Sequence, residues 1–234
     1  MATLLVSSIP SSSSSSPSAR RALLAGGIAA GPLYVGVGAL EMIFRPGFDP
    51  LRHDLSLMAN GDFGWIHSGL LMLTGLLVMA SALGLRAMLR DGPASAWGPW
   101  LVALYGAGLL GAGIFSADPA FGFPPGTPAD GHSVSFHGLM HLVTGALGFV
   151  GLIAACFVIA RRFTWRGRDG WATFSRVTGI VYLVSFFGIA MGSQQGGVIT
   201  AIVILAFTGA VILGWAWLSA MELQLAKENA TAAH

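Results

Sequence analysis

The chain has 234 residues, of which 54% are hydrophobic and only 9% charged, with a mean hydropathy of +0.73. Soluble domains carry about a quarter charged residues, so this composition excludes a water-soluble globule and assigns the chain to the bilayer. The net charge of +2 is too small to imply a nucleic-acid partner, and the single Cys156 excludes an internal disulfide or a cysteine-held metal cluster.

Residues 1–20 contain a run of six serines, two prolines and no acidic residue, ending in Arg20 and followed by Arg21. The segment loosely resembles a transit peptide or a signal n-region. The apolar stretch behind it, however, is too long for a signal core and has no clear cleavage site. A disordered tail is expected over 1–20, a transmembrane domain over 21–221 and a short cytoplasmic tail over 222–234.

Six stretches are long and apolar enough to cross a hydrocarbon core as helices: 22–44, 65–85, 97–115, 136–160, 174–191 and 198–220. The fold class is therefore all-α, a polytopic six-helix membrane bundle. Trp65, Trp97, Trp100, Trp215 and Trp217 fall near span ends, where indoles favour the interface. Gly27 with Gly31, and Gly106, Gly108, Gly111 and Gly113, supply the small residues that let membrane helices approach closely.

Of the 12 basic residues, only Arg45 and Arg52 lie on one side of a six-span arrangement. The positive-inside rule then puts both termini in the cytoplasm and the loops 45–64, 116–135 and 192–197 outside. Arginine outnumbers lysine eleven to one, as in GC-rich bacterial genomes, so a bacterial inner membrane is the expected location.

The chain's 3 tyrosines, Tyr34, Tyr105 and Tyr182, each sit in an odd-numbered span. Each even-numbered span carries a Thr-Gly pair at mid-depth: Thr74-Gly75, Thr144-Gly145 and Thr208-Gly209. His67 and His137 each precede such a pair by seven residues, and Asp49-Pro50 and Asp118-Pro119 open the two long outer loops. The pattern reads as three related helical hairpins, the third without its long loop and its histidine.

His53, His67, His132, His137 and His141 all fall on the outer side, with Glu41, Asp49, Asp54, Asp62, Asp118 and Asp130. Polar groups at membrane depth face a cavity or one another, so a site is expected here. His137 and His141 stand at i, i+4 on one helix face, a spacing that suits two ligands of one metal ion. A third ligand is available from His67, His132 or Asp118. The pattern lacks the glutamate of the H-E-x-x-H signature, so metalloprotease chemistry is not carried over, and a hydrogen-bonded polar cluster is the competing reading.

In the first outer loop, opposite charges alternate from Glu41 to Asp54 and can pair, and Asp54-Leu55-Ser56 has the form of a capping turn. Four prolines within ten residues stiffen the second loop at 119–128. That loop is either a rigid cover over the histidines or an interfacial anchor through Phe121 and Phe123.

Several of these segments carry a family resemblance. Arg45-Pro46-Gly47-Phe48-Asp49-Pro50 through Ser56, Gly64-Trp65-Ile66, Ala112-Gly113-Ile114-Phe115 with Asp118-Pro119, Phe121 to Pro128, and Phe136-His137-Gly138-Leu139-Met140-His141 occur in order. Over residues 25–220 the chain resembles the six-span membrane family named domain of unknown function 998. The resemblance implies a fold but no activity. Other residues often stand at the place of His67 in that family, which favours His137 and His141 as ligands.

Three functions fit these residues. One is a metal-dependent hydrolase at the outer leaflet, with zinc on His137, His141 and His67, Asp118 or Asp54 as base, and Ser56 steadying an oxyanion. This is an analogy of site chemistry with membrane hydrolases of the alkaline-ceramidase kind. Another is haem-based electron transfer, with His67 facing His137 or His141. The third is a structural or sensing bundle that interacts with membrane lipids through its polar outer face. Membrane lipids are the expected partners, and the sequence does not identify a protein partner.

Overall fold

The structure, a computed structural model, describes residues 17–129 and 134–231. Its framework is six α-helices: α1 (Pro17–Phe44), α2 (Gly64–Met88), α3 (Trp97–Ile114), α4 (Phe136–Trp165), α5 (Asp169–Gly192) and α6 (Gly197–Thr231). All six are long and apolar enough to cross a membrane. The chain is thus an integral, multi-pass membrane protein of the all-α class, with no strand among the described residues. The helices start and stop close to the expected limits except at α6, which runs ten residues past 221 as continuous helix.

Each helix packs chiefly on its neighbours in the chain, and α6 packs back on α1. The result is a closed ring of three hairpins. The long connection 45–63, the described parts 115–129 and 134–135 of the second and the tight turn 193–196 lie at one end, here the loop end. The described termini and the connections 89–96 and 166–168 lie at the other, the terminal end.

Glycine makes the ring tight. A Cβ on Gly75 would fall 2.7 Å from the Gly106 carbonyl oxygen, and one on Gly106 would fall 2.8 Å from that of Gly75, so α2 and α3 cross backbone to backbone. Outward, the helices present Leu73, Leu76, Leu83, Val184, Phe187 and Ile202, all exposed, as lipid-facing residues should be. Trp65, Trp97 and Trp100 sit exposed at helix ends as expected. Trp215 and Trp217 do not: both are fully buried inside the ring. Trp217 Nε1 donates to Ser175 Oγ at 2.9 Å, and Trp215 stacks on Tyr34. Tryptophan earns its place there by filling volume, which periodicity in an all-apolar helix cannot reveal.

The two long loops fold into one cap. Leu57, Ala120 and Phe123 form its small core, with Phe48 and Phe121 packed against it. Of the two uses open to this loop, the burial of Phe123 at 1% exposure favours the cover, while Phe121 is half-buried against the same small core. His53 joins the halves: its Nδ1 accepts from the Asp49 amide at 2.9 Å, and Nε2 lies 3.1 Å from the Phe121 carbonyl. Gly47, at φ +79, lets the first loop turn so closely that a Cβ would sit 2.9 Å from Pro125 of the second. Arg52 donates to the Ala129 carbonyl at 3.1 Å instead of pairing within its own loop.

Candidate functional site

The ring encloses a cavity of about 410 Å³ whose wall takes residues from all six helices and from the first loop. It runs from His67 and His141, in the opening turns of α2 and α4, to Phe149, Tyr182 and Trp215. Eight residues of α4 separate His141 from Phe149, about 12 Å along the axis, so the cavity reaches toward mid-membrane.

Tyr34, Tyr105 and Tyr182, the tyrosines that marked the hairpin pattern, all line this space. Tyr34 stacks on Trp215 with ring centres 5.0 Å apart, Tyr105 lies 5.4 Å from the same indole, and Tyr182 packs on Phe149. One aromatic wall thus joins α1, α3, α4, α5 and α6. Much of the rest is aliphatic or glycine, including Gly145, where nothing stands within 4 Å of an added Cβ.

At the loop end the wall turns polar. The His67 ring, fully buried, puts Nδ1 2.8 Å from Glu41 Oε2, and Glu41 also pairs with Arg45 at 3.8 Å. Arg45 in turn donates to the carbonyls of Met58 at 2.6 Å and Asn60 at 2.5 Å, which ties the buried acid to the cap. Burial pulls the Arg45 guanidinium below its ordinary value, while Glu41 and Asp62 oppose the shift. His141 puts Nδ1 2.9 Å from the Ala112 carbonyl and 2.8 Å from that of Phe115. Both Nδ1 atoms therefore donate, and Nε2 is the ring nitrogen each imidazole has left.

Among the described residues, His67 Nε2, Tyr182 Oη and Trp215 Nε1 are buried without a hydrogen-bond partner. All three residues belong to the cavity wall. An unpaired buried polar atom costs about 1–3 kcal/mol, so three around one space are a reason to expect an occupant with polar atoms.

The residues singled out from sequence divide. His67, His141, Asp54 and Ser56 line the cavity together. His137 does not: it is exposed, against the rings of Phe115 and Phe136. No group of three or more His, Cys, Asp or Glu suited to a metal ion occurs among the described residues, and His132 and Asp130 lie outside them. Asp54 Oδ1 accepts from the Ser56 amide at 3.0 Å and from the Ser56 hydroxyl, capping the 3-10 turn Leu55–Ala59. Tyr182 and Trp215 were not legible as wall residues, though the spacing of the tyrosines was a partial signal.

Asp118 stands elsewhere, at the N-terminus of α4. Its carboxylate accepts from the Ser135 amide at 2.8 Å and hydroxyl at 2.5 Å, and Ser135 caps the Gly138 amide at 3.0 Å. Any Cβ at Gly138 would collide with this carboxylate. The chemistry is that of an anion fastened to a helix N-terminus. Replacing Asp118 with alanine should cost about 1–2 kcal/mol, the usual loss of a cap. Thermal unfolding in detergent reads this, and an unchanged midpoint would contradict the bracing role.

A model of the family described as "Protein of unknown function (DUF998)" matches residues 28–223, nearly all of the ring. The chain belongs to the DUF998 family. Comparison of this DUF998 protein with curated proteins and with solved structures found no match. The family match covers α1 from Ile28 and runs to Leu223 of α6, and so contains the whole cavity wall.

Proposed function

We propose that this DUF998 protein binds a small amphiphile from the leaflet on its loop side, holding the apolar part against the aromatic wall and the polar part near His67, Asp54 and His141. The observation that carries this reading is one cavity with a mostly apolar wall and three buried, unpartnered polar atoms. Its volume lies in the range of roughly 300–1,000 Å³ typical of small-ligand sites. The apolar outside of the ring suits a ligand that arrives from lipid. Ten basic residues at the terminal end against Arg45 and Arg52 at the loop end support cytoplasmic termini, and with them an outer-leaflet ligand in a bacterial inner membrane.

The test is to identify lipids retained by the purified protein, by native mass spectrometry, for wild type and Gly145→Phe. Gly145 lines the cavity and has room for a Cβ, so a phenylalanine there directs its ring at the space the amphiphile would fill. Retention of the amphiphile should fall at least about tenfold, about 1.4 kcal/mol, with the fold kept. Equal lipid retention, or a cavity holding only water, would refute the reading.

A second reading, the metal-dependent hydrolase, draws on one feature. His67 and His141 each commit Nδ1 to an oxygen acceptor, the arrangement that orients metal-bound imidazoles. Zinc on these with Asp54, and His137 recruited from its exposed position, is the site to test. Zinc content by mass spectrometry, wild type beside His137→Ala/His141→Ala, decides it: about one ion per chain, lost in the double variant, is required. A visible absorbance spectrum of the same preparation tests for haem.

A further inference from the structure

Toward the terminal end, α1, α2 and α6 enclose a carboxyl group that the cavity does not use. Glu222 of α6 is 0% exposed and lies within the membrane-spanning part of that helix. Its Oε1 is 2.6 Å from Ser81 Oγ of α2, and its Oε2 is buried with no partner among the described residues. On α1 it meets Gly27, where any Cβ would collide with Oε2, so the carboxyl rests directly on helix backbone. One turn back on α6, the Ser219 hydroxyl is likewise buried and unpartnered, against Gly31.

The charged groups of the surrounding elements do not neutralise it. Arg20 is two turns nearer the terminal end of α1, and Glu41 is in the opposite half of that helix. On α2, Arg86 lies over the Trp100 ring, 5.7 Å from its centre. Arg168, at the start of α5, pairs with Glu228 of α6 at 3.4 Å, and Arg176 of α5 donates to Thr164. Lys227 is five residues further along α6. No ion pair to Glu222 occurs among the described residues.

Hydrogen counting then decides the state of the group. The Ser81 hydroxyl has one hydrogen and two oxygens in reach, Val78 O at 2.9 Å and Glu222 Oε1 at 2.6 Å. An ionised carboxylate would compete with Val78 for that hydrogen and keep Oε2 bare, a charge in hydrocarbon without a partner, which is costly. A carboxylic acid satisfies the chain in order: its O–H donates to Ser81 Oγ, and Ser81 donates to Val78.

We propose that Glu222 with Ser81 is a membrane-buried proton-binding site, loaded while α1 lies against α6. One proton from the aqueous phase forms the O–H bond of the carboxyl, and nothing else changes. Loss of that proton leaves a bare carboxylate against the backbone of Gly27, which forces α1 away from α6 until water enters. The site is separate from the cavity, and the inference does not rest on amphiphile binding.

The full chain in liposomes is treated with N,N′-dicyclohexylcarbodiimide, a membrane-permeant reagent for protonated carboxyls in apolar surroundings. One adduct per chain is expected on the peptide holding Glu222, its yield falling as pH rises, and none in Glu222→Gln. Infrared spectroscopy of the same samples should show a carboxylic-acid C=O band near neutral pH. The band should vanish in Glu222→Gln, move in Ser81→Ala and persist in Glu228→Gln. Absence of this band from the wild type overturns the proposal whether or not the reagent reaches the site. A band that survives in folded Glu222→Gln overturns it as well, and should that variant fail to fold, wild-type titration of the band and the Ser81→Ala shift decide.

Discussion

Replacing Glu41 with alanine should lower the stability of the ring by about 3–5 kcal/mol, the usual cost of removing one partner from a buried charged cluster. Glu41 is 7% exposed and stands between His67 Nδ1 at 2.8 Å and Arg45 at 3.8 Å. Without it, a buried guanidinium keeps two carbonyl contacts and the Phe63 ring but loses its carboxylate, and a fully buried imidazole loses its acceptor. The loss reaches both the cap and the polar end of the cavity, since Arg45 holds the carbonyls of Met58 and Asn60. Equilibrium unfolding in mixed micelles measures it. Glu41→Gln should lose less, because the amide oxygen still accepts from His67. A double change, Glu41→Ala with His67→Phe, should cost less than the sum of the single ones, since no imidazole is then stranded. If Glu41→Ala unfolds at the wild-type midpoint, the triad is not a stabilising unit.

Two glycines on the same cavity wall should respond oppositely to alanine. A Cβ on Gly108 would fall 2.5 Å from Gly148 Cα, 2.7 Å from the Thr144 carbonyl oxygen and 2.8 Å from Gly148 N. These obstacles are backbone, so α3 must back away from α4, and Gly108→Ala should destabilise by roughly 1–3 kcal/mol, as overpacking does. Gly145→Ala meets nothing within 4 Å and gains up to about 1 kcal/mol of helix propensity, so it should be neutral or stabilising. Thermal midpoints of the two variants side by side test the close crossing of α3 and α4. Equal midpoints would contradict it.

The contrast explains why glycine content was readable only in bulk. The sequence offers Gly108 and Gly145 as equivalent small residues in apolar helices, one an inter-helix contact and the other a wall with space beside it. The histidine pair shows a similar limit. The spacing of His137 and His141 suggests one shared face of α4, yet a helix turn is enough to bury His141 against α3 and leave His137 exposed. Glu222 falls where the apolar run weakens, near 221, so run length does not place it in the bundle, whereas α6 continues as helix and carries the carboxyl into the α1–α2 interface. Trp215 and Trp217 also fall near the end of an apolar run, and their burial follows from α6 continuing past it.

The sequence by itself determined the membrane class, the six spans and the family. The spans follow from run length and composition, because hydrocarbon penalises every unsatisfied backbone group and leaves helices as the remedy, whereas the family rests on ordered motifs such as Phe136–His141. The tertiary structure alone decided that the hairpins close into a ring, that three tyrosines and Trp215 meet around one cavity, and that two acids face inward in opposite halves. Those outcomes depend on the rotation of each helix about its own axis. In a helix apolar all round, rotation is set by which glycines admit a neighbouring backbone and which polar atoms find partners, and neither is written in any one segment.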